Sequence, residues 1–220
     1  MSADESSQQR KARIESAMDA LAQKASTCIA CGLHETRTRV VFGVGNPASP
    51  LMIVGEGPGA NEDATGLPFV GRAGKLLDEC LRDAGMLRQH VYITNTVKCR
   101  ACIVDGKSVQ NRAPTPDEIG TCAPLWLDKQ VSLIQPVVIL CIGGPSANTI
   151  IHPDFRILKE RGKWFETRYA RYAMAAMHPA FILRQHGETF DAYRQTLVDD
   201  MVAAKEKAKQ ARTEPKPTLF

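Results

Sequence analysis

Four short apolar runs, separated by amphipathic segments, dominate the pattern of the chain. They are Leu51–Val54, Val91–Val97, Val137–Ile142 and Tyr172–Met177. Each run has the length of a buried strand, and the segments between the runs carry apolar residues at helical spacing. Strands that alternate with helices predict a parallel sheet covered on both faces. We therefore expect an α/β fold in one domain, with three α/β/α layers around a central, mostly parallel four-stranded sheet.

Amphipathic helices are also predicted towards both ends of the chain. Arg10–Ala25 and Phe190 to about Lys207 have apolar residues at helical spacing, and Val40–Gly45 is a candidate short strand. Residues 1–8 are polar and residues 208–220 form a basic tail with lysine and proline, so both are expected to be disordered. The folded domain is then expected to span residues 9–207.

Composition and charge narrow the class of protein. Of the 220 residues, 44% are hydrophobic and 24% are charged, which is typical of a soluble globular protein. No apolar run approaches the ~20 residues of a membrane span, and the N-terminus has no apolar signal region. Seven cysteines without a signal peptide favour metal or thiol roles in a reducing cytoplasm. The net charge of +4 permits nucleic-acid binding without establishing it.

A glycine-rich loop follows the first predicted strand and reads GEGPGANEDATGLPFVGRAGKL over residues 55–76. Its glycines let the backbone turn tightly and approach a ligand closely. Glu56 and Glu62 add carboxylates and Phe69 adds an aromatic ring, so the loop predicts a pocket for a flat polar ligand. The alternative is an ordinary surface loop with helix-capping acids. Neither a Gly-Lys-Ser/Thr phosphate loop nor the GxGxxG dinucleotide fingerprint is present.

Two further polar residues stand where predicted strands end. Asn95 lies near the end of the second strand, and His178 directly follows the fourth. Ligands of open α/β sheets bind beyond the carboxyl ends of the strands, and an asparagine amide is able to pair with the edge of a nucleobase. For each residue the alternative is a local role in capping the next turn.

The cysteines suggest a metal centre. Cys28 and Cys31 are separated by two residues, a spacing that binds one metal centre on a tight turn. Cys99 and Cys102 repeat this spacing, so the two pairs together would make a zinc ribbon.

The glycine-rich loop, the Asn95 motif, the cysteine pattern and the stretch His178–Arg184 closely resemble the motifs of the family-four uracil-DNA glycosylases, in the same order. The resemblance extends from about Cys28 to about Arg184. It implies a 4Fe–4S cluster whose ligands are Cys28, Cys31, Cys99 and Cys122, in place of a zinc ribbon with Cys102. The 22 residues between Cys99 and Cys122 exceed the spacing that the family usually has.

The resemblance also implies an activity. We expect a monofunctional uracil-DNA glycosylase that hydrolyses the N-glycosidic bond of deoxyuridine and leaves an abasic site for base-excision repair. The expected partner is uracil-containing DNA, single- or double-stranded, and the expected state is a monomer that binds no membrane. The alternatives are a single-turnover or non-catalytic relative that binds uracil-DNA, and an interaction module of a polymerase.

The resemblance assigns the base-binding residues. Phe69 is expected to stack on the uracil ring. The Asn95 amide is expected to donate to O4 and accept from N3–H, a pattern that cytosine reverses. His178 and the backbone N–H groups at Glu56 and Gly57 are expected to face O2, where negative charge develops as uracil leaves.

The hydrolytic step is expected to use a carboxylate. Family members lack the water-activating aspartate that other uracil glycosylases place in the first motif. Glu62 is therefore expected to assist the water or the cationic sugar, and Glu56 to shape the pocket beside C5 of uracil. Together with His178, these two glutamates are the candidate catalytic residues.

The stretch His178–Arg184 is similar to the family's intercalation loop, because a glycosylase must take its base out of the duplex. Leu183 or Ile182 is expected to fill the vacated space, and Arg184 to hold a phosphate. Further candidate phosphate contacts, mostly independent of DNA sequence, are Lys98, Arg100, Lys159, Arg161 and Lys163. The alternative is a strand-to-helix turn with an apolar anchor.

Residues 101–116 read as a polar loop with turn residues throughout. The X-type uracil glycosylases, a branch that resembles this family, also lengthen this loop and place in it a histidine that captures the sugar C1′ and stays attached. Here no histidine occurs between His90 and His152, and Asn111 stands at the corresponding position. An amide nitrogen is a poor nucleophile, so we expect this chain to turn over.

Overall fold

A computed structural model describes residues 7–213 of the chain. In chain order the strands are β1 (Val44–Gly45), β2 (Leu51–Gly55), β3 (Tyr92–Asn95), β4 (Cys102–Asp105), β5 (Ser108–Asn111), β6 (Val138–Ile142) and β7 (Tyr172–Ala176). The α-helices are α1 (Ser7–Ser26), α2 (Ala60–Thr65), α3 (Arg72–Asp83), α4 (Pro116–Cys122), α5 (Asp128–Ile134), α6 (Gly144–Ile150), α7 (Ile157–Glu160), α8 (Pro179–Ile182) and α9 (Gly187–Thr213). A π-helical turn at Ala123–Leu127 joins α4 to α5. None of the helices between residues 7 and 213 is long and apolar enough to cross a membrane.

The central sheet has the strand order β1-β3-β2-β6-β7. The four strands β3, β2, β6 and β7 run parallel, which confirms the expected α/β class and the mostly parallel sheet. The sheet nevertheless has five strands, because β1 joins its edge antiparallel to β3. Only Val44 and Gly45 of the candidate strand Val40–Gly45 pair with β3, since Val41 donates its N–H to Lys98 O, beyond the end of β3.

Helices cover both faces of the sheet. Alternate residues of a strand point to opposite faces, so Met52 and Val54 join one core with α1 and α5, whereas Leu51 and Ile53 join the other with α3 and α9. All five residues of β2 and all five of β6 are buried. Burial on both faces explains why these strands are continuous apolar runs without polar alternation.

The helices at the ends of the chain are longer than expected. Helix α9 continues to Thr213, and Ala208 and Ala211 are buried on its inner face. The expectation of a disordered tail from residue 208 is therefore wrong for residues 208–213. Ser7 and Gln8 belong to α1, so the expected disorder of residues 1–8 is wrong for these two. The remaining parts of both predictions, residues 1–6 and 214–220, lie outside the described residues.

The stretch 101–116, expected to be a loop, contains a β-hairpin. Strands β4 and β5 pair antiparallel with Val104 opposite Val109 and Asp105 opposite Ser108. Gly106 at the turn has a φ of 56°, which glycine adopts without strain. The signal was present in the sequence, because glycine at the first of two central positions, here Gly106-Lys107, favours a two-residue hairpin turn. The helix expected after the loop is confirmed, with Thr115 and Glu118 forming its capping box.

Candidate active site

The carboxyl ends of the parallel strands border a pocket of about 400 Å³. Residues expected to bind the base or to take part in the chemistry converge there, namely Glu56, Gly57, Glu62, Phe69, Asn95 and His178. They come from the loop after β2, the end of β3 and the residue after β7. These positions meet because parallel strands end at the same edge of a sheet. The structure therefore brings together all six predicted residues, while their individual roles stay predictions.

Asn95 places an unpaired polar atom at the pocket. The residue is 2% exposed, and its Oδ1 atom is buried without a hydrogen-bond partner among the described residues. A Cβ atom on Gly55 would lie 2.4 Å from this Oδ1 and 2.5 Å from Phe69 Cζ, so a glycine is needed at position 55. A buried acceptor without a donor costs free energy. The pocket is thus complementary to a ligand that donates a hydrogen bond to Asn95.

Lys98 was a candidate phosphate contact, but the structure shows that its side chain instead supports the backbone of Asn95. Its side chain is fully buried. Its Nζ donates to Asn95 O at 2.5 Å, to Thr94 Oγ1 at 2.7 Å and to Gln130 Oε1 at 2.7 Å. Burial lowers the pKa of Lys98 to about 7, opposed by the nearby thiols of Cys122 and Cys99. The lysine therefore fixes the backbone that carries the Asn95 amide.

Phe69 is held in a constrained backbone geometry. Its φ is 53°, in the left-handed region that a bulky residue rarely adopts. Arg88, itself bonded to Asp78 at 2.9 Å, donates to Phe69 O at 2.6 Å. A Cβ atom on Gly74 would lie 1.8 Å from the same carbonyl oxygen, so this close approach needs glycine. These contacts hold the Phe69 backbone. The Phe69 ring lies 6.2 Å from the His178 ring, measured between centroids, and forms a wall of the pocket.

His178 both caps a turn and lines the pocket. Its Nδ1 accepts a hydrogen bond from Ala180 N at 3.0 Å, so in the neutral ring the proton is on Nε2. Burial and the positive charge of Arg184 lower the pKa of His178 to about 4, with Glu62 opposing them. The imidazole is therefore neutral near pH 7 and has a single N–H to offer a ligand.

The two glutamates of the glycine-rich loop have different surroundings. Glu62 accepts hydrogen bonds from Gly59 N at 3.1 Å, Val70 N at 2.9 Å and Gly71 N at 3.0 Å, which ties two loops together. No described residue hydrogen-bonds the Glu56 carboxylate, and burial raises the pKa of Glu56. The free carboxylate is thus Glu56, although the sequence had assigned the water to Glu62.

The base of the β4–β5 hairpin also lines the pocket. Asn111 and Arg112 contribute to the pocket wall, and neither was among the predicted site residues. Arg100 Nε donates to Asn111 Oδ1 at 2.6 Å. Asn111 Nδ2 and Glu62 Oε2 both lie within 4 Å of the point that a Cβ atom on Gly59 would occupy. The hairpin therefore brings a polar side chain, that of Asn111, to the glycine-rich loop.

Four cysteines surround a separate small cavity between α1, the chain after β3 and α4. They are Cys28, Cys31, Cys99 and Cys122, the set that the resemblance implied. Cys102 is buried on β4 and does not line this cavity. Arg37 Nη1 donates to Cys99 Sγ at 3.4 Å, and Lys98 N donates to Cys122 Sγ at 3.3 Å. Within residues 7–213, no group of three or more His, Cys, Asp or Glu side chains forms a site for a single metal ion.

Comparison with known proteins identifies the family. Residues 42–202 match the model of the uracil DNA glycosylase superfamily. The chain belongs to this superfamily. Type-4 uracil-DNA glycosylases from three organisms are similar to it: that of Thermotoga maritima is 38% identical over 87% of this chain and 94% of its own length. That of Archaeoglobus fulgidus is 37% identical over 92% of this chain and 97% of its own length. That of Sulfurisphaera tokodaii is 38% identical over 76% of this chain and 76% of its own length. The resemblance drawn from the motifs is confirmed.

In this uracil DNA glycosylase superfamily member, the candidate DNA contacts are unevenly placed. Arg184 is exposed and lines a groove that adjoins the pocket. Leu183, at the end of α8, is partly buried against the core on the α9 side, so only part of it is open to DNA. Lys163 is exposed but lines neither pocket nor groove, because its segment runs along the edge of β7. Leu158, which the sequence did not single out, is exposed in the groove.

Proposed function

We propose that this chain excises uracil from DNA by hydrolysing the N-glycosidic bond of deoxyuridine, and leaves an abasic site for base-excision repair. The unpaired Asn95 Oδ1 is the observation that carries the proposal. Uracil presents a donor at N3–H and an acceptor at O4, which an asparagine amide matches in one plane. Cytosine presents the reverse pattern and would leave the buried amide unpaired. The pocket thus favours uracil by its hydrogen bonds, and Phe69 supplies the wall on which the ring stacks.

His178 is proposed to stabilise the leaving base. As the glycosidic bond breaks, negative charge develops on uracil, including O2, and a fixed donor lowers the barrier most where charge appears. The capping bond from Ala180 orients the ring and leaves the proton on Nε2. Because the pKa of His178 is lowered to about 4, the donor is a neutral imidazole at physiological pH and not an imidazolium.

Glu56 is proposed to act on the water or on the cationic sugar, in place of Glu62. The Glu62 carboxylate already accepts three backbone hydrogen bonds, so turning it towards a water would break the loop that shapes the pocket. Glu56 has no such bonds to lose and lines both the pocket and the adjoining groove. A desolvated carboxylate also accepts a proton more readily, as its raised pKa indicates.

The two glutamates are separated by paired glutamine variants. Glu56→Gln should lower the single-turnover excision rate by about 100-fold with little change in thermal stability, because a base or a charge is lost and no hydrogen bond. Glu62→Gln should destabilise the fold by about 1–3 kcal/mol, because the amide turns a donor towards backbone N–H groups. Excision kinetics and thermal unfolding are measured on both. A stable Glu62→Gln variant that has lost the activity, beside an active Glu56→Gln variant, would restore the assignment to Glu62.

The four cysteines around the small cavity are proposed to hold a 4Fe–4S cluster. The donor set fits, since four thiols face one cavity and two N–H groups donate to their sulfurs, as is favourable for thiolates that bind iron. When bound, the cluster supplies metal–thiolate bonds that join α1, the chain after β3 and α4, and so adds to the folding free energy. Arg37 and Lys98 are placed to balance the negative charge of the thiolates.

Turnover is the test that separates the proposed activity from its alternatives. Asn111 lines the pocket, and its amide nitrogen is not an effective nucleophile, so the sugar should be captured by water and released. Purified protein should convert a molar excess of uracil-containing oligonucleotide to abasic product, which is detected by alkaline cleavage. A protein–DNA band that survives a denaturing gel without a reductant would instead support the single-turnover relative. No cleavage at any protein concentration would favour a non-catalytic module.

A further inference from the structure

The hairpin formed by β4 and β5 stands at the rim of the pocket. Its base contributes Asn111 and Arg112 to the pocket wall, and Arg112 is anchored to Glu118 by two hydrogen bonds of 2.8 and 2.6 Å. Beyond this base, every residue from Ile103 to Gln110 is exposed. The hairpin is therefore attached firmly at one end and projects into solvent beside the opening of the site.

The register divides the hairpin into two faces. Cys102 lies opposite Asn111 and Val104 lies opposite Val109, so these four side chains share one face. Because Asn111 lines the pocket, this is the pocket face. The other face carries Ile103 opposite Gln110 and Asp105 opposite Ser108. The pocket face thus continues outward from the site as a cross-strand valine pair.

The valine pair exposes apolar side chains to solvent. Val104 is 54% exposed and Val109 is 46% exposed. Around the pair the hairpin is basic: its cations are Arg100, Lys107 and Arg112, of which Arg112 is paired with Glu118, and Asp105 is the only acid in residues 100–112. Arg100 donates to Asn111 Oδ1 and to Val109 O. Apolar side chains framed by cations match the sugars and base edges of nucleic acid between its phosphates.

We propose that the pocket face of the hairpin lies against double-stranded DNA, with Val104 and Val109 packed on the bases and sugars beside the extruded nucleotide and Lys107 near a phosphate. The proposal rests on the proposed function, because the strand whose nucleotide enters the pocket must pass the rim that Asn111 forms. Apolar side chains placed between or beside bases help to keep a duplex open. A single strand has no complementary strand to hold apart and its bases unstack readily, so the valine pair should matter mainly for the duplex.

The test compares the two faces of the hairpin. The variant Val104→Thr/Val109→Thr keeps the β-branched shape that favours strands and makes the pocket face polar, whereas Ile103→Thr makes the same change on the opposite face, at a residue that is 57% exposed. The excision rate and the binding affinity are measured with one uracil-containing oligonucleotide, free and annealed to its complement. On the duplex, we expect the double variant to lose about five- to tenfold in excision rate and in binding affinity, because apolar burial is lost. On the single strand, both quantities should fall by less than about twofold. The excision rate and affinity of the Ile103→Thr control should stay within about twofold of the unmodified protein on both substrates.

Three results would overturn the proposal: an unchanged double variant on the duplex, an equal loss on both substrates, or an equal loss in the Ile103→Thr control. The binding measurement keeps the hairpin separate from the chemistry. If the unmodified protein excised nothing, the proposed function would fail, yet a duplex-specific loss of affinity in the double variant would still support the hairpin contact.

Discussion

Replacing Asn95 with alanine should lower the single-turnover rate of uracil excision by about 30- to 1,000-fold. The change removes the side-chain amide from the pocket, so the edge of uracil is left there without its hydrogen-bond partner. The loss corresponds to roughly 2–4 kcal/mol of transition-state stabilisation. Rapid-quench measurements with the protein in excess over the DNA report the chemical step directly, without interference from product release.

The Asn95→Ala variant also allows a specific check on misfolding. Since Asn95 Oδ1 has no partner within residues 7–213, its removal breaks no hydrogen bond at that atom there, and thermal stability should fall far less than activity. Asn148, exposed on α6, is a matched control whose replacement by alanine should change neither quantity. An Asn95→Ala variant with near-normal excision would show that this amide does not read the base.

Replacing Cys122 with serine should remove most of the bound iron and destabilise the fold, on the order of 4 kcal/mol or more, because loss of a structural metal centre is among the largest single-residue effects. Cys102→Ser is the matched control: it is also a buried cysteine, but it does not line the cavity. This control should retain about four irons per chain, as expected for a 4Fe–4S cluster, and near-normal stability. The measurements are iron and zinc content, visible absorption and thermal unfolding.

The same pair of variants decides between the two metal centres that the sequence allows. A colourless protein with one zinc ion, which loses its metal in Cys102→Ser and keeps it in Cys122→Ser, would establish the zinc ribbon. The structure favours the other outcome because Cys122, on α4, reaches the cavity that Cys28 and Cys31 line, whereas the hairpin carries Cys102 away from it.

The pattern of apolar and polar residues along the chain indicates the class of fold and the edge of the sheet at which the site lies. Runs such as Val138–Ile142 are apolar at every position, as is typical of a strand buried on both faces, and helices between such runs favour parallel strands. Parallel strands end at one edge, so Asn95 and His178 were expected at the same edge, whereas the strand order that brings them to one pocket came from the structure. The Thr115 and Glu118 capping box likewise marked a helix start from local chemistry alone.

What each polar side chain is free to do depends on contacts that form only on folding. From the sequence, Lys98 is expected to be a surface cation, but its side chain is buried and donates a hydrogen bond to Gln130 on α5. The sequence suggests that Glu62 assists the water or the cationic sugar, but the Glu62 carboxylate accepts hydrogen bonds from Val70 N and Gly71 N. Whether a charge is buried, paired or available depends on groups that lie many residues away in the chain. A local pattern records the spacing of residues along the backbone and carries no information about these partners, because folding alone brings them within hydrogen-bond distance.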